Sequence, residues 1–453
     1  MQIIIVGAGE VGSYLAQRLS ALDLDVVLIE QEAAVVAEIQ GQLDVRVLHG
    51  SGAVARTLRD AGVEACDLFL ALTREDHTNF VSALLARRMG AKHTIARIHA
   101  EVMRDEALFD YRAAFQLDYV FSAERLAAVE LAKFIRNPHQ PIVEEIARGR
   151  IELQQFELDS DSPTIGKSLK ALAFPPRVRI GSIRRDGRSY VPKASDELRR
   201  GDTVTLFGQA DSMRKLLSRL KPDFVNGKHR SVLIAGGGEV TLALAQLLQD
   251  EGYRIRIMDS NPDSCDSLSR LLPQCTIIHA DPTHSSALAE ERIHECSYFV
   301  AAMADDKDNV MTCLQAGHLG AAHCISVIQR EDYAEMIQRA GDQVGIQNAV
   351  SPREAVRRDL MRFITSNPYH VFSKLDEETE LVHFTIGTNS QLAGLKVQDL
   401  ELPEGLVMVA RVHDLDASVP AAGDVLRAGD TVYALIEICN EGELLKFLKA
   451  RNR

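Results

Sequence analysis

The chain reads as one protein written twice, and that duplication constrains its fold more than any single motif. Gly7, Gly9 and Glu30 recur as Gly236, Gly238 and Asp259, each 229 residues later. Asp76 and Asn79 recur as Asp306 and Asn309 at an offset of 230, and Asn137-Pro138 recurs as Asn367-Pro368 at the same offset. Pro175 and Gly201-Asp202 recur as Pro403 and Gly429-Asp430 at an offset of 228. A register held to within one residue over both halves of a 453-residue chain is duplication, not coincidence. Whatever one half folds into, the other must fold into as well.

Each half opens on a strand-and-helix alternation. Gln2–Val6 is a continuous apolar strand, followed by the turn Gly7–Gly12 and a helical stretch over Ser13–Leu22. Further strands are expected at Asp25–Ile29, Val45–Leu48, Leu68–Leu72 and Thr94–Ile98, with helical segments such as Asn79–Arg88 between them. Such alternation folds as right-handed βαβ units around a parallel, doubly wound sheet. An amphipathic helix is expected over Phe121–Ile135, stopped by Asn137-Pro138. From Ile151 the segments become short and alternating, with turn signals at 185–188 and 200–202, and a helix follows at Ser212–Leu220. The polar stretch Lys221–Arg230 reads as a linker, and the plan then repeats. The fold class is therefore α/β: two Rossmann-like doubly wound parallel-sheet domains, each followed by a small α+β module. The expected boundaries are 1–138, 139–222, 223–368 and 369–453.

Composition narrows the function. The net charge of -13 argues against a general affinity for nucleic acid or an anionic membrane surface. The longest apolar runs, such as Ile3–Ala8, fall far short of the roughly 18–20 residues a membrane span needs. A strand that begins by Gln2 leaves no room for a signal peptide. The seven cysteines show no CxxC and no metal-site spacing, so reduced thiols of a cytosolic protein are expected, with no metal site. With no Trp and few aromatics, the cores must be aliphatic, which suits parallel sheets.

The turn Gly7-Ala8-Gly9-Glu10-Val11-Gly12 follows a strand and opens a helix, and Glu30 closes the second strand. That context is a dinucleotide-binding signature. Gly7 permits the tight turn, Gly9 lets backbone approach a pyrophosphate at the helix N-terminus, and Gly12 allows close helix–strand packing. Glu30 can accept hydrogen bonds from ribose hydroxyls and would repel a 2′-phosphate. The second copy reads Gly236-Gly237-Gly238-Glu239-Val240-Thr241, with Asp259 as its ribose acid. Thr241 in place of the third glycine should push helix and strand apart slightly. Arg97, near the C-terminal end of the fifth strand, could pair with a phosphate, and its aligned residue is Val327. Thr73 could line the same cleft. Asp76 and Asp306 are expected at helix N-termini.

A dehydrogenase would need an acid/base partner near the nicotinamide. His49 and His77 are expected in loops at the right sheet edge, but neither half carries a substrate domain or a catalytic constellation. No catalytic residue is assigned. An NAD-linked oxidoreductase stays as the alternative to a nucleotide sensor.

The tandem GAGEVG…Glu30 and GGGEV…Asp259 sheets resemble the domains that regulate potassium conductance (RCK domains). So do ALTREDHTN at 71–79, AAMADDKDN at 301–309, ARI at 96–98, VIQREDY at 327–333 and the paired GDTV at 201–204 and 429–432. Over the whole chain the order of domains is similar to the TrkA-type regulatory subunits of bacterial Trk potassium uptake systems. The resemblance implies a cytoplasmic protein, peripheral on the inner face of the cell membrane. It implies self-association into a ring, as a homotetramer, beneath a separate potassium-translocating membrane subunit. It implies NAD(H) and/or ATP/ADP as ligands. By motif, Gly7, Ala8, Gly9, Glu10, Val11, Gly12, Glu30, Thr73 and Arg97 would form a first site. Gly236, Gly238, Glu239, Val240 and Asp259 would form a second. Ser51, where many relatives have aspartate, and Thr241 depart from the pattern.

Overall fold

In a computed structural model of the chain, the residues described are 1–105, 108–136, 143–147, 150–158, 164–172, 174–175, 177–209, 211–213, 215–216, 231–249, 252–340, 345–361, 363–364, 368–376, 378–413 and 416–451. The expected linker at 221–230, the end of the helix expected at 212–220, Asn137-Pro138 and Asn367 lie outside them.

The first parallel sheet contains β1 (Gln2–Val6), β2 (Asp25–Glu30), β3 (Arg46–His49), β4 (Leu68–Ala71), β5 (His93–Arg97) and β6 (Tyr119–Phe121). Its spatial order is β3-β2-β1-β4-β5-β6, with every pairing parallel. Helices α1 (Glu10–Ser20), α2 (Ala33–Ile39), α3 (Ala55–Asp60), α4 (Asp76–Met89), α5 (Ala100–Arg104), α6 (Tyr111–Ala114) and α7 (Ala123–Arg136) complete the copy. The central strand β1 is covered on both faces, which is why it reads as unbroken hydrophobic sequence: Ile3, Ile4 and Ile5 are fully buried. Each such side chain contributes about 1.5–3 kcal/mol of burial.

After it comes an antiparallel module. Strands β7 (Val143–Ile146), β8 (Ile151–Glu157), β9 (Val178–Arg185), β10 (Arg188–Tyr190) and β11 (Thr203–Gln209) lie in the order β10-β9-β11-β8-β7.

The second copy repeats both sheets. Strands β12 (Ser231–Ala235), β13 (Arg254–Asp259), β14 (Thr276–His279), β15 (Tyr298–Ala301), β16 (Cys324–Val327) and β17 (Asn348–Val350) form a parallel sheet ordered β14-β13-β12-β15-β16-β17. Its helices are α8 (Glu239–Gln249), α9 (Pro262–Leu271), α10 (Ser285–Glu290), α11 (Asp306–His318), α12 (Glu331–Ala340) and α13 (Pro352–Met361). Strands β18 (His370–Lys374), β19 (Thr379–Thr385), β20 (Leu406–His413), β21 (Asp416–Ser418) and β22 (Thr431–Glu437) form the second antiparallel sheet, ordered β18-β19-β22-β20-β21, and α14 (Glu441–Arg451) ends the chain. The duplication extends to an irregularity: the ladder shifts register beside Gly181 in β9 and beside Val409 in β20.

The expected α/β class is found, with three local differences. Each parallel sheet has a sixth strand, β6 and β17, where five were expected. Residues Tyr119–Phe121 are only three long and run straight into an amphipathic helix, so their apolar pattern merges with it; that helix starts at Ala123, not Phe121. Neither His49 nor His77 is in a loop: His49 is the last residue of β3 and His77 the second of α4.

The halves are not the compact units. Like packs with like: residues 1–132 and 229–363, the two parallel sheets, make one unit, and residues 133–228 and 364–453, the two antiparallel modules, make the other. In the second unit one apolar cluster is shared by Ile151, Leu153 and Phe207 of the first module and Leu381, Val409 and Leu435 of the second. In the first unit, Tyr14 of α1 donates its hydroxyl to Glu354 of α13 at 2.8 Å. Arg358 pairs with Glu130 at 3.3 Å, and the Tyr119 and Phe363 rings pack tilted with centres 5.3 Å apart.

Among the described residues no helix is long and apolar enough to cross a membrane. Nor do they hold a group of three or more His, Cys, Asp or Glu placed to bind a metal ion. All seven cysteines carry free thiols, and burial pushes those of Cys66 and Cys324 up to about 12.

Candidate nucleotide site

In a sheet ordered 3-2-1-4-5-6 the chain turns in opposite directions after β1 and β4, opening a crevice beyond their C-terminal ends. A cleft of about 560 Å³ lies there in the first copy. Gly7, Ala8, Gly9, Glu10, Val11, Glu30, Thr73 and Arg97 all line it. Gly12, the remaining residue of the motif, lies beneath it, fitted to the turn.

The glycines of the turn are required for different reasons. Gly7 has φ +97°, and a Cβ there would lie 3.0 Å from the backbone of Thr73. Gly12 faces the turn so closely that a Cβ would lie 1.9 Å from the Gly7 carbonyl oxygen. Gly9 has φ -67°, open to any residue, and a Cβ there would meet nothing within 4 Å. The fold therefore does not require glycine at 9; bare backbone there leaves room for something outside the protein. Gly238 has the same open surroundings in the second copy.

Glu30 does more than present a free carboxylate. One oxygen accepts from the Ala8 amide at 2.7 Å, and the other accepts from the Gln31 and Glu32 amides at 2.7 and 2.9 Å. It ties the end of β2 to the glycine turn, and lone pairs on both oxygens remain for a ligand. Asp259 repeats the arrangement, accepting from Gly237 at 2.5 Å and Asn261 at 2.7 Å.

A second clamp, visible in the sequence only as a repeated pair, fixes the other wall. Asn79 is fully buried on α4. Its amide nitrogen donates to the Thr73 and Arg97 carbonyls at 3.0 and 2.9 Å, and its oxygen accepts from the Thr73 amide and hydroxyl at 2.9 and 2.7 Å. Asn309 makes the matching bonds to Met303 and Val327. The shared bond pattern independently aligns Arg97 with Val327. Asp76 and Asp306 do stand at helix N-termini. They also accept from the loops after β5 and β16, Asp76 from His99 at 3.0 Å and Asp306 from Gln329 and Arg330 at 2.7 and 2.9 Å. The recurrence of both residues was the available signal for these clamps.

Arg97 is engaged inside its own copy, 2.8 Å from Glu124, with the two side chains 16% and 21% exposed. Burial alone would raise the Glu124 carboxyl, but Arg97 and the Ser122 hydroxyl hold it below the usual carboxylate range. His49 bonds the Gln31 carbonyl at 3.1 Å, and His77 is exposed beside Glu75. Neither lines the cleft.

The second copy also contributes to this cleft. Val240, Gln329, Pro352 and Arg353 complete its wall. Val240, grouped by sequence with the second site, thus stands at the first. Arg353 lies 3.0 Å from Glu10, the first residue of α1, and its Nε is buried with no hydrogen-bond partner. Around the second turn, Gly236 has φ +103° and Glu239 pairs with Arg104 of the first copy at 3.3 Å. Thr241 is fully buried, its hydroxyl donating to the Gly236 carbonyl at 2.7 Å, so a side chain fills the position that glycine holds under the first turn. Ser264 of α9 closes on Gly237, donating to its carbonyl at 3.1 Å.

These features define a tandem Rossmann-like protein whose first glycine turn opens on a cleft shared by both copies. The TrkA-N domain model matches residues 3–116 and 232–352, and the TrkA-C domain model matches 153–221. The chain belongs to the TrkA-N domain family. It is similar to a Trk system potassium uptake protein TrkA homolog of Archaeoglobus fulgidus, at 28% identity over 430 residues, covering 95% of this chain and 96% of the relative. The Trk system potassium uptake protein TrkA of Haemophilus influenzae is likewise 28% identical over 442 residues, covering 95% of each chain. Among solved structures, the crystal structure of the GsuK RCK domain superposes with a TM-score of 0.60 at 18% identity, covering 99% of this chain and 95% of that one. The GsuK channel bound to NAD gives 0.61 at 17% identity, covering 99% and 79%. These superpositions establish the fold.

Proposed function

We propose that this chain is the regulatory subunit of a potassium uptake system and that an adenine nucleotide in the first cleft sets its state. The observation that carries the ligand reading is Gly9: a glycine that the fold does not need, at the N-terminus of α1, between a turn fixed by Glu30 and a wall fixed by Asn79. Gly7–Gly12 would take the phosphates, Glu30 the ribose hydroxyls, and Thr73 and Arg97 the far wall. Gly236, Gly238, Glu239 and Asp259 would form a second site. Relatives matching end to end and named for potassium uptake support the regulatory role. A neighbour of the same fold bound to NAD supports NAD(H) among the ligands, beside ATP and ADP.

The subunit would act from the cytoplasm, peripheral to the membrane, by docking as a ring on a potassium-translocating partner. Four chains of two copies would give eight parallel-sheet domains. A gating ring works only if its ligand prefers one shape, since equal affinity shifts nothing. No residue is assigned a catalytic role, and no turnover of NADH with carbonyl compounds or quinones is expected. The test is potassium flux through the reconstituted membrane subunit, with this protein added under ATP, ADP or NADH. Nucleotide-dependent flux is expected. A protein that neither binds the membrane subunit nor alters flux under any nucleotide would refute the reading.

A further inference from the structure

Two arginines line the first cleft, one from each copy, and they are not equally free to bind a ligand. Arg97 and Glu124 are both largely buried and 2.8 Å apart, and the Ser122 hydroxyl further holds the carboxylate. Removing that guanidinium would leave a buried charge unpaired, which is costly. Arg353 comes from the second copy. Its partner Glu10 is 58% exposed, so the pair is screened by water and weakly held. The Arg353 Nε is meanwhile buried without an acceptor. Glu10 is the first residue of α1, so the Arg353 guanidinium stands beside the helix N-terminus at the glycine turn, where a pyrophosphate is favoured. A polyphosphate arriving there could displace Glu10 and bond the guanidinium as a fork.

We propose that Arg353 of the second copy is the residue that grips the polyphosphate of a nucleotide seated in the first copy, and so discriminates ligands by phosphate charge. This rests on the nucleotide reading above. Arg353 occupies the position of Glu124 in the first copy: β6 and β17 precede them in matching register, and Arg97 pairs with Phe121 as Val327 pairs with Val350. One sheet thus keeps a carboxylate at this position to hold its own arginine. The other has Val327 in place of that arginine and carries a cation, Arg353, at the matching position, where it lines its neighbour's cleft. Binding would tie the two sheets together through the ligand, with a strength that depends on phosphate number.

The test is calorimetric binding of ATP, ADP and adenosine to the full chain. Arg353→Ala should weaken ATP by about tenfold or more, ADP less, and adenosine not at all. Arg353→Lys should recover part of the ATP loss. Removing the competing carboxylate with Glu10→Gln should tighten ATP several-fold (about two- to fivefold), and that gain should vanish in an Arg353→Ala background. Equal weakening of ATP and adenosine by Arg353→Ala would make Arg353 a packing residue and overturn the proposal. Unchanged ATP affinity in Arg353→Ala, beside a loss in Glu30→Ala, would overturn it while leaving the site in place. Wild-type protein that binds none of the three would overturn both.

Discussion

The two parallel sheets share strand order, turn and buried clamps, yet differ where a ligand would sit. The first copy has Gly12 under its turn, Arg97 at its cleft and Glu124 holding that arginine. The second has Thr241, Val327 and Arg353. Everything that fixes backbone is kept: Glu30 and Asp259 on the glycine turns, Asn79 and Asn309 on the opposite wall. What changed is charge and space. The duplicated fold is thus a scaffold in which the cleft of the first sheet takes part of its wall from the other sheet.

The antiparallel modules diverge in the same way. In the first, Arg185 forks onto buried Asp202 at 2.8 and 2.7 Å; in the second, His413 meets buried Asp430 at 2.7 Å. Arg185→Ala would leave Asp202 buried and unpaired, at a cost of about 3–5 kcal/mol. This is the largest effect expected, and thermal unfolding of the full chain would show it. A loss under 1 kcal/mol would mean that the buried carboxylate is not held by this fork. The Asp202 carboxyl, which burial would raise, is held below its usual range by Arg185 and the Arg199 amide. That part of the stability is present at neutral pH and is lost as pH falls through the lowered value.

Transplanting residues between copies sharpens the contrast. Gly12→Thr places a side chain 1.9 Å from backbone, and should destabilise the first sheet by about 1–3 kcal/mol. Thr241→Gly should cost less, about 1 kcal/mol, because it removes one hydroxyl bond. Equal losses in unfolding midpoint would show that the two turns pack alike. For binding, Glu30→Ala should weaken ATP or NADH by about 1–3 kcal/mol, and Asp259→Ala should change ATP binding less. Equal ATP losses in the two variants, by calorimetry, would erase the asymmetry.

The smallest expected effect is a pH dependence confined to the second module. Glu380 is buried, and burial followed by neighbouring Glu441 raises its carboxyl from the ordinary 4.5 to about 7. The matching positions of the first module are Glu152, which accepts from Gln154 at 2.8 Å, and Met213. A raised acid binds its proton more tightly when folded. Its contribution is therefore fully present below 4.5 and lost as pH rises through about 7. Glu380→Gln should flatten that slope and raise the unfolding midpoint at pH 8 by a few degrees, about 2–4 °C. Parallel pH profiles for wild type and variant would rule out the carboxyl pair as the source.

Much of the lining of the first cleft was legible because its chemistry is local. Gly7–Gly12 and Glu30 sit on one βαβ unit, where backbone geometry and hydrogen bonding prescribe residue type at fixed spacing. β6 was hidden because three apolar residues ahead of an amphipathic helix carry no period of their own. The clamps of Asp76 and Asn79 were visible as repeated letters but not as bonds, because their partners at 97 and 99 come from another strand's end.

The sequence by itself determined the duplication, the α/β class, the glycine turns and the acid at the end of each second strand. These follow from periodicity and from backbone conformations few residues can adopt. Only the tertiary structure decided which pieces pack together. Chain order suggests two halves, but the parallel sheets join each other and the antiparallel modules join each other. Apolar faces pair by shape and area, not by position along the chain. That packing brings Val240 and Arg353 to the first cleft, across more than 200 residues of sequence from Gly9. Nothing in the local pattern around Arg353 specifies its neighbour, because an ion pair between elements is set by how two finished surfaces meet.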